Sequence, residues 1–282
     1  MSTEFVMAPE PKEPIQFNIL VAEDHVMWQL SIFKVLKTFQ DYINKEAEGQ
    51  FTVEFNIAPA RSGSVAVAIF EQFPNIKWDI VISDKSMPEP NDSAAFDLEK
   101  SVLYNPLKLS LAKLKIPLDM KFEKGKCEDG LSLIQYVSSN LQATKLIFQS
   151  SDGAEYLRQI LSKTTIPPDT VVCLNKTDIA PAKRSNLFSS FRDCVNSRVE
   201  EVARSQAEKL TDLKTLQTFF QSGFEQKLKA DDERLEADAK SRAKAVMKDL
   251  AAMRIKETSD SDASKPTEAR PPVAKGLAAD FS

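Results

Sequence analysis

The run Ile80-Val81-Ile82-Ser83 carries no charge and stops at Asp84, the first residue of Asp84-Lys85-Ser86-Met87-Pro88. A short uncharged run rich in β-branched residues predicts a strand buried on both faces. Such strands belong to sheets covered by helices on each side, where the working crevice lies beyond the strands' carboxyl ends. Asp84 stands at such an end and is therefore the first candidate for chemistry.

The same grammar repeats along the chain. Phe17-Asn18-Ile19-Leu20-Val21-Ala22 predicts a strand ending in Glu23-Asp24, after which Val26, Leu30, Phe33 and Leu36 recur at helical spacing to about Phe39. Residues Phe51 to Ala58 alternate as a strand does, and Arg61-Ser62-Gly63 turns into a helix with Val65, Ala68 and Ile69 on one face. Beyond Asp84, Leu131, Ile134, Val137 and Leu141 mark a helix opening near Asp129-Gly130. Lys145 to Gln149 is then a strand ending in Ser150-Ser151, Ala154 to Leu161 a helix, and Val171-Val172-Cys173-Leu174 a last strand ending at Asn175-Lys176. Strands alternating with helices predict an α/β fold with a five-stranded parallel, doubly wound sheet, because right-handed crossovers place helices on both faces.

Residues 89–127 break that rhythm. Pro90, Pro106 and Pro117 bracket a piece rich in lysine and leucine, with helices expected around Ser93 to Lys100 and Leu107 to Leu114. It is long for a loop and reads as an insertion into a sheet domain of residues 16–182, preceded by a disordered leader over 1–15. None of the 15 prolines lies between Pro181 and Pro266, and Gly223 is the single glycine of that span, so an uninterrupted helix is expected from about Ala182 to Lys256. Its apolar residues Leu213, Leu216, Phe220, Phe224, Leu228, Leu235, Ala239, Val246, Leu250 and Met253 follow spacings of mostly three and four. That is the seam of a coiled coil over 183–256, made with a second copy or another helical partner. Residues 257–282 read as a disordered tail.

A net charge of -4 and a pI near 5.4 argue against a nucleic-acid partner, and the long helical run offers no short turn for a helix-turn-helix reader. Apolar runs fall well short of the ~20 residues of a membrane span. The 3 cysteines, Cys127, Cys173 and Cys194, are too scattered for a metal cluster or a disulfide framework. A cytoplasmic protein is expected.

In a parallel sheet the strand ends share one edge, which brings Glu23, Asp24, Asp84, Ser150 and Lys176 together. Three carboxylates that close repel one another unless a cation lies among them, and hard oxygen ligands suit Mg²⁺. A carboxylate so held can act as nucleophile toward phosphorus, with a lysine and the metal neutralising the equatorial oxygens. The competing reading of Asn175-Lys176-Thr177-Asp178 as a guanine-selecting turn needs a phosphate-binding GxxxxGK[ST] loop, and Gly125-Lys126-Cys127 does not supply one. His25 follows the acidic pair and reads as a surface turn residue.

From Phe17 to Phe191, insertion aside, the sequence resembles the receiver domain of response regulators, CheY-like in fold. The motifs are Ile19-Leu20-Val21-Ala22-Glu23-Asp24-His25, Asp84-Lys85-Ser86-Met87-Pro88, Asp129-Gly130-Leu131, Phe148-Gln149-Ser150-Ser151 and Leu174-Asn175-Lys176. The resemblance implies that Asp84 accepts a phosphoryl group from a sensor histidine kinase, a phosphotransfer protein or a small phosphodonor. It implies that Glu23, Asp24, Asp84 and the Ser86 carbonyl hold Mg²⁺, and that Ser150 and Lys176 contact the phosphoryl group. The only catalysis implied is the chain's own aspartyl phosphorylation and dephosphorylation, in a two-component phosphorelay whose output is protein contact by the C-terminal helix. Three positions depart from the family: residues 89–128 separate Pro88 from Asp129, Cys173 stands where an aromatic switch residue is common, and Thr177 follows the lysine in place of proline. A second reading is a degenerate receiver, never phosphorylated, that serves as the head of a coiled-coil adaptor; the complete set of charged residues favours the active form.

Overall fold

The computed structural model describes residues 13–88, 105–117, 125–141, 144–205 and 210–263. Most of the expected leader, the helix expected around Ser93 to Lys100 and the tail beyond Ala263 lie outside the described residues. The chain divides into two compact units, Met1–Arg234 and Leu235–Ser282.

The first unit is built on five strands, β1 (Ile15–Ala22), β2 (Val53–Ala60), β3 (Ile80–Asp84), β4 (Lys145–Ser150) and β5 (Val171–Asn175). All pair in parallel, in the order β2-β1-β3-β4-β5. This is the doubly wound order in which β1 and β3, where the winding reverses, open a crevice at their carboxyl ends. The helices are α1 (Val26–Glu46), α2 (Gly63–Gln72), α3 (Asn105–Leu114), α4 (Gly130–Asn140), α5 (Ala154–Leu161), α6 (Ser185–Ser205), α7 (Leu210–Phe219) and α8 (Glu225–Ala263).

Aromatic contacts show how the layers close. Phe39 of α1 and Phe191 of α6 meet edge to face at 5.1 Å, and Phe191 stacks on Phe55 of β2 at 4.8 Å, so α1 and α6 share one face of the sheet. On the opposite face Phe70 of α2 stacks on Tyr136 of α4 at 6.1 Å. The strand cores, Ile19 to Ala22 and Ile80 to Ile82 among them, are fully buried, which is why their sequences lack the alternation of a half-exposed strand. Within the insertion, α3 lies against the edge strand β2, burying Leu111, Leu114 and Ile116. A covered edge is one that cannot recruit a foreign strand.

The helical run expected to continue unbroken from Ala182 to Lys256 is divided. Its first part, α6, packs on β3 and β4 through a face that includes Leu187, Phe188, Phe191 and Val195, all buried. Between α7 and α8, Phe220–Phe224 forms a kink in which Ser222 (φ -82°, ψ 26°) and Gly223 (φ 90°, ψ 10°) leave helical geometry. Positive φ is open to glycine at little cost, so the one glycine of the span is where the chain bends. The bend puts Phe219 on Phe51 at 5.3 Å, Phe220 on Phe188 at 5.1 Å and Phe224 on Tyr42 at 5.7 Å. Leu213, Leu216, Phe220, Phe224 and Leu228 of the expected seam are thus buried in this unit's own core.

The root of α8 is fastened by charge. Arg184, buried at the entrance to α6, donates from Nε to Asp232 Oδ1 at 2.8 Å and from a terminal nitrogen to Asp231 Oδ2 at 2.6 Å, under the ring of Tyr42. Asp232 also accepts from the Ser185 backbone N–H at 2.8 Å, satisfying one of the donors that begin α6. In the second unit the described residues are helical to Ala263, past the expected end at Lys256. Val246, Met247 and Leu250 of that helix are exposed. Among the described residues no helix is long and apolar enough to cross a membrane.

Candidate functional site

Strand register assembles the site. Ala22 of β1 pairs with Ser83 of β3, Asp84 pairs with Gln149 of β4, and Ser150 pairs with Asn175 of β5. Glu23, Asp24, Asp84, Ser150 and Lys176 therefore follow or end neighbouring strands at one level, as the sequence implies. Carboxylate oxygens of Glu23, Asp24 and Asp84 lie within 4.8 Å of one another. Glu23 and Asp84 are buried and Asp24 is half-buried.

Lys176 is the cation of this cluster. Its Nζ lies 3.0 Å from Glu23 Oε2 and 3.1 Å from Asp84 Oδ2, and 5.7 Å from the centre of the Trp28 ring. Burial, then the charge of Asp84, pushes the Glu23 carboxyl up to about 7. Burial also raises Asp84, against the pull of Lys176. For Lys176 burial acts downward, but bonding and attraction to Glu23 and Asp84 hold its ammonium above the ordinary lysine range. Two buried carboxylates and one ammonium leave the cluster net negative, and a net negative buried cluster attracts a further cation. The donors are all hard oxygens, with half-buried Asp24 leaving a side for water, so the set fits a hard divalent cation such as Mg²⁺.

The scaffold beneath Asp84 is tight. The Gly130 N–H donates to the Lys85 carbonyl at 3.0 Å, and a Cβ on Gly130 would stand 1.7 Å from the Asp84 carbonyl oxygen. No side chain fits there, which explains the glycine. Asp129 caps α4 by accepting from Ser132 N–H at 2.8 Å, so the Asp129-Gly130 pair sets the helix start against the end of β3. Gln29, buried at the start of α1, donates to the Glu23 and Ala60 carbonyls at 3.3 and 3.2 Å and ties the ends of β1 and β2.

Other expected residues take particular places. Ser150 is buried and its hydroxyl donates to Asp152 Oδ2 at 3.3 Å while accepting from the Asp152 N–H at 3.1 Å. Asp152 in turn pairs with Lys85, whose ammonium lies 4.7 Å from the centre of the Tyr156 ring. That pairing raises Lys85 and lowers Asp152. Ser86 is exposed and, with Lys85, Met87, Pro88, Leu131 and Tyr156, lines a cavity of about 460 Å³. Cys173 is buried beside Phe148 in the β4–β5 register, and burial raises its thiol. His25 is exposed; its backbone N–H donates to Glu23 Oε1 at 3.1 Å. Asp178 accepts from Asn175 N–H at 3.3 Å in a small capping box, a structural employment for the Asn-Lys-Thr-Asp turn.

Sequence reasoning did not single out Gln149, whose amide donates to Glu23 Oε2 at 3.0 Å. The signal available was an amide ending the otherwise apolar Leu146-Ile147-Phe148-Gln149, a position whose side chain proves 1% exposed as a residue. No protein-family model matches the chain, and neither a curated protein nor a solved structure matches it.

Proposed function

We propose that the chain is a receiver-type signalling protein that accepts a phosphoryl group on Asp84 with Mg²⁺ and passes the signal on through protein contacts of its C-terminal helices. The observation that carries this reading is the position of Asp84 at the carboxyl end of β3, 3.1 Å from Lys176 Nζ and grouped with Glu23 and Asp24 within 4.8 Å. Donors of the right chemistry are a phosphohistidine on a kinase or phosphotransfer protein and a small acyl phosphate. An Asp84 carboxylate oxygen attacks phosphorus, the bond from phosphorus to the donor's nitrogen or oxygen breaks, and the donor leaves with that electron pair. A divalent cation, when bound, supplies charge neutralisation at the phosphoryl oxygens. Lys176 supplies the same neutralisation from the protein side, and burial of Asp84 keeps competing water away from the attacking oxygen. Ser150, once turned from Asp152, offers its hydroxyl to a phosphoryl oxygen. Cys127, Cys173 and Cys194 are buried and joined by no disulfide, which suits a reducing cytoplasm.

A specific observation favours the second reading, a receiver-like adaptor head that is never phosphorylated. Lys176 already bridges Glu23 and Asp84, and Ser150 is already bonded to Asp152, so Lys176, Asp84 and Ser150 have protein partners without a phosphoryl group. Intact mass separates the two. Incubated with acetyl phosphate and Mg²⁺, the protein gains one phosphoryl group, and chelator prevents the gain; a folded protein that gains nothing under these conditions is the adaptor.

A further inference from the structure

Glu23 has no exposure, and both its oxygens are engaged by the protein. Oε1 accepts from the His25 N–H at 3.1 Å and from Lys176 at 3.2 Å, while Oε2 accepts from Gln149 Nε2 at 3.0 Å and has Lys176 Nζ at 3.0 Å. Lys176 divides itself between Glu23 and Asp84, at 3.0 and 3.1 Å, so the place of the Glu23 carboxylate decides where the ammonium stands relative to Asp84. Of the groups that fix that carboxylate, Gln149 is the neutral side chain. It sits in register with Asp84, on the far side of β3 from Glu23, and immediately before Ser150. Its amide therefore reaches over the end of β3 to the end of β1.

A buried amide is costly unless bonded, and an apolar residue would continue the strand at less cost. We propose that Gln149 is a positioning residue for phosphoryl transfer: its amide holds the Glu23 carboxylate, and Glu23 holds the Lys176 ammonium beside the attacking oxygen of Asp84. The inference rests on the reading of Asp84 as phosphoacceptor. Gln149 acts through Glu23, which also belongs to the carboxylate group that would hold the cation, so the placement of Lys176 is read at saturating Mg²⁺. Loss of the Gln149 amide lowers the maximal rate of phosphoryl uptake there, and added Mg²⁺ does not reverse the fall.

The test uses the full chain, acetyl phosphate as donor, a Mg²⁺ titration and intact mass to follow the initial rate. Gln149→Met keeps volume and removes the donor; Gln149→Asn, too short to reach Glu23, repeats the comparison if the methionine variant does not fold. Loss of one hydrogen bond to a buried charge predicts a maximal rate at saturating Mg²⁺ about ten- to a hundredfold lower. An unchanged rate, or a rate restored by raising Mg²⁺, overturns the positioning role while leaving Asp84 as phosphoacceptor. Absence of label on the wild-type chain overturns that reading and the inference with it.

Discussion

Strand β3 is bounded by two buried aspartates, Asp79 just before it and Asp84 at its end, and they do different work. Burial raises the carboxyl of each. Asp79 is spent on structure: Oδ2 accepts from the Asn18 N–H at 2.8 Å, and Oδ1 lies 3.6 Å from the Cys194 thiol and 3.7 Å from Arg198. Asp84 instead stands among two further carboxylates with a lysine divided between them. Burial and a shifted carboxyl are thus common to a structural and a candidate functional residue. What separates them is company of like charge, which folding alone would avoid and which a bound cation would use.

Neutralising each aspartate in turn separates their roles. Asp84→Asn abolishes the phosphoryl adduct, whereas Asp79→Asn, which still accepts from Asn18, keeps the adduct and lowers only the melting temperature. Loss of the adduct in both variants, or in neither, would erase the distinction.

The next effect concerns charge that is paired for structure alone. Arg184→Ala leaves buried Asp232 without its cation, while Asp231 keeps Arg234, and breaking a buried ion pair costs about 3–5 kcal/mol. Arg198, the more exposed partner of Asp79, costs about 1 kcal/mol or less when truncated. Denaturant midpoints measure both, and equal losses would mean that the Arg184 cluster is not closed to water as described.

Gly130→Ala tests the scaffold on the Asp84 side. A methyl group 1.7 Å from the Asp84 carbonyl forces strand and helix apart, at about 1–3 kcal/mol, and shifts Asp84 so that phosphoryl uptake slows as well. A folded variant with wild-type uptake would show that the α4 entrance does not set the position of Asp84.

The pH dependence of stability carries the sign of an acid whose folded value is raised. Glu23 titrates near 4.5 when unfolded and about 7 when folded, so between those values the folded chain binds more protons. Its contribution to stability is full below the lower value and declines as pH rises through the upper one. Melting of the metal-free protein at several pH values, wild type against Glu23→Gln, isolates that decline; parallel curves would place Glu23 in a less buried setting. The smallest effect is at the kink, where Gly223→Ala forces a left-handed backbone at about 1 kcal/mol.

Much of the sheet and its acidic edge was legible in the sequence because β1, β3, β4 and β5 each run through apolar residues into a polar one, and β2 shows the alternation of a strand. The register needed to bring Glu23, Asp84 and Lys176 together follows once the strands are parallel. The fate of the C-terminal helices was not legible. Spacings of three and four describe a face without saying what covers it, and Phe220 and Phe224 are covered by Tyr42 and Phe188 of the same unit. Only Gly223 marked the bend. Nor could the sequence tell that Ser150 is bonded to Asp152, since a serine at a strand end has several neighbours within reach.

The proposed role of Asp84 as phosphoacceptor can be tested at the residue itself. Reduction of the labelled protein with borohydride converts an aspartyl phosphate to homoserine, and peptide mass mapping then locates it. Homoserine is expected at position 84 alone, only when Mg²⁺ and acetyl phosphate were both supplied; homoserine at another position, or none in a folded protein, would rule Asp84 out as the acceptor.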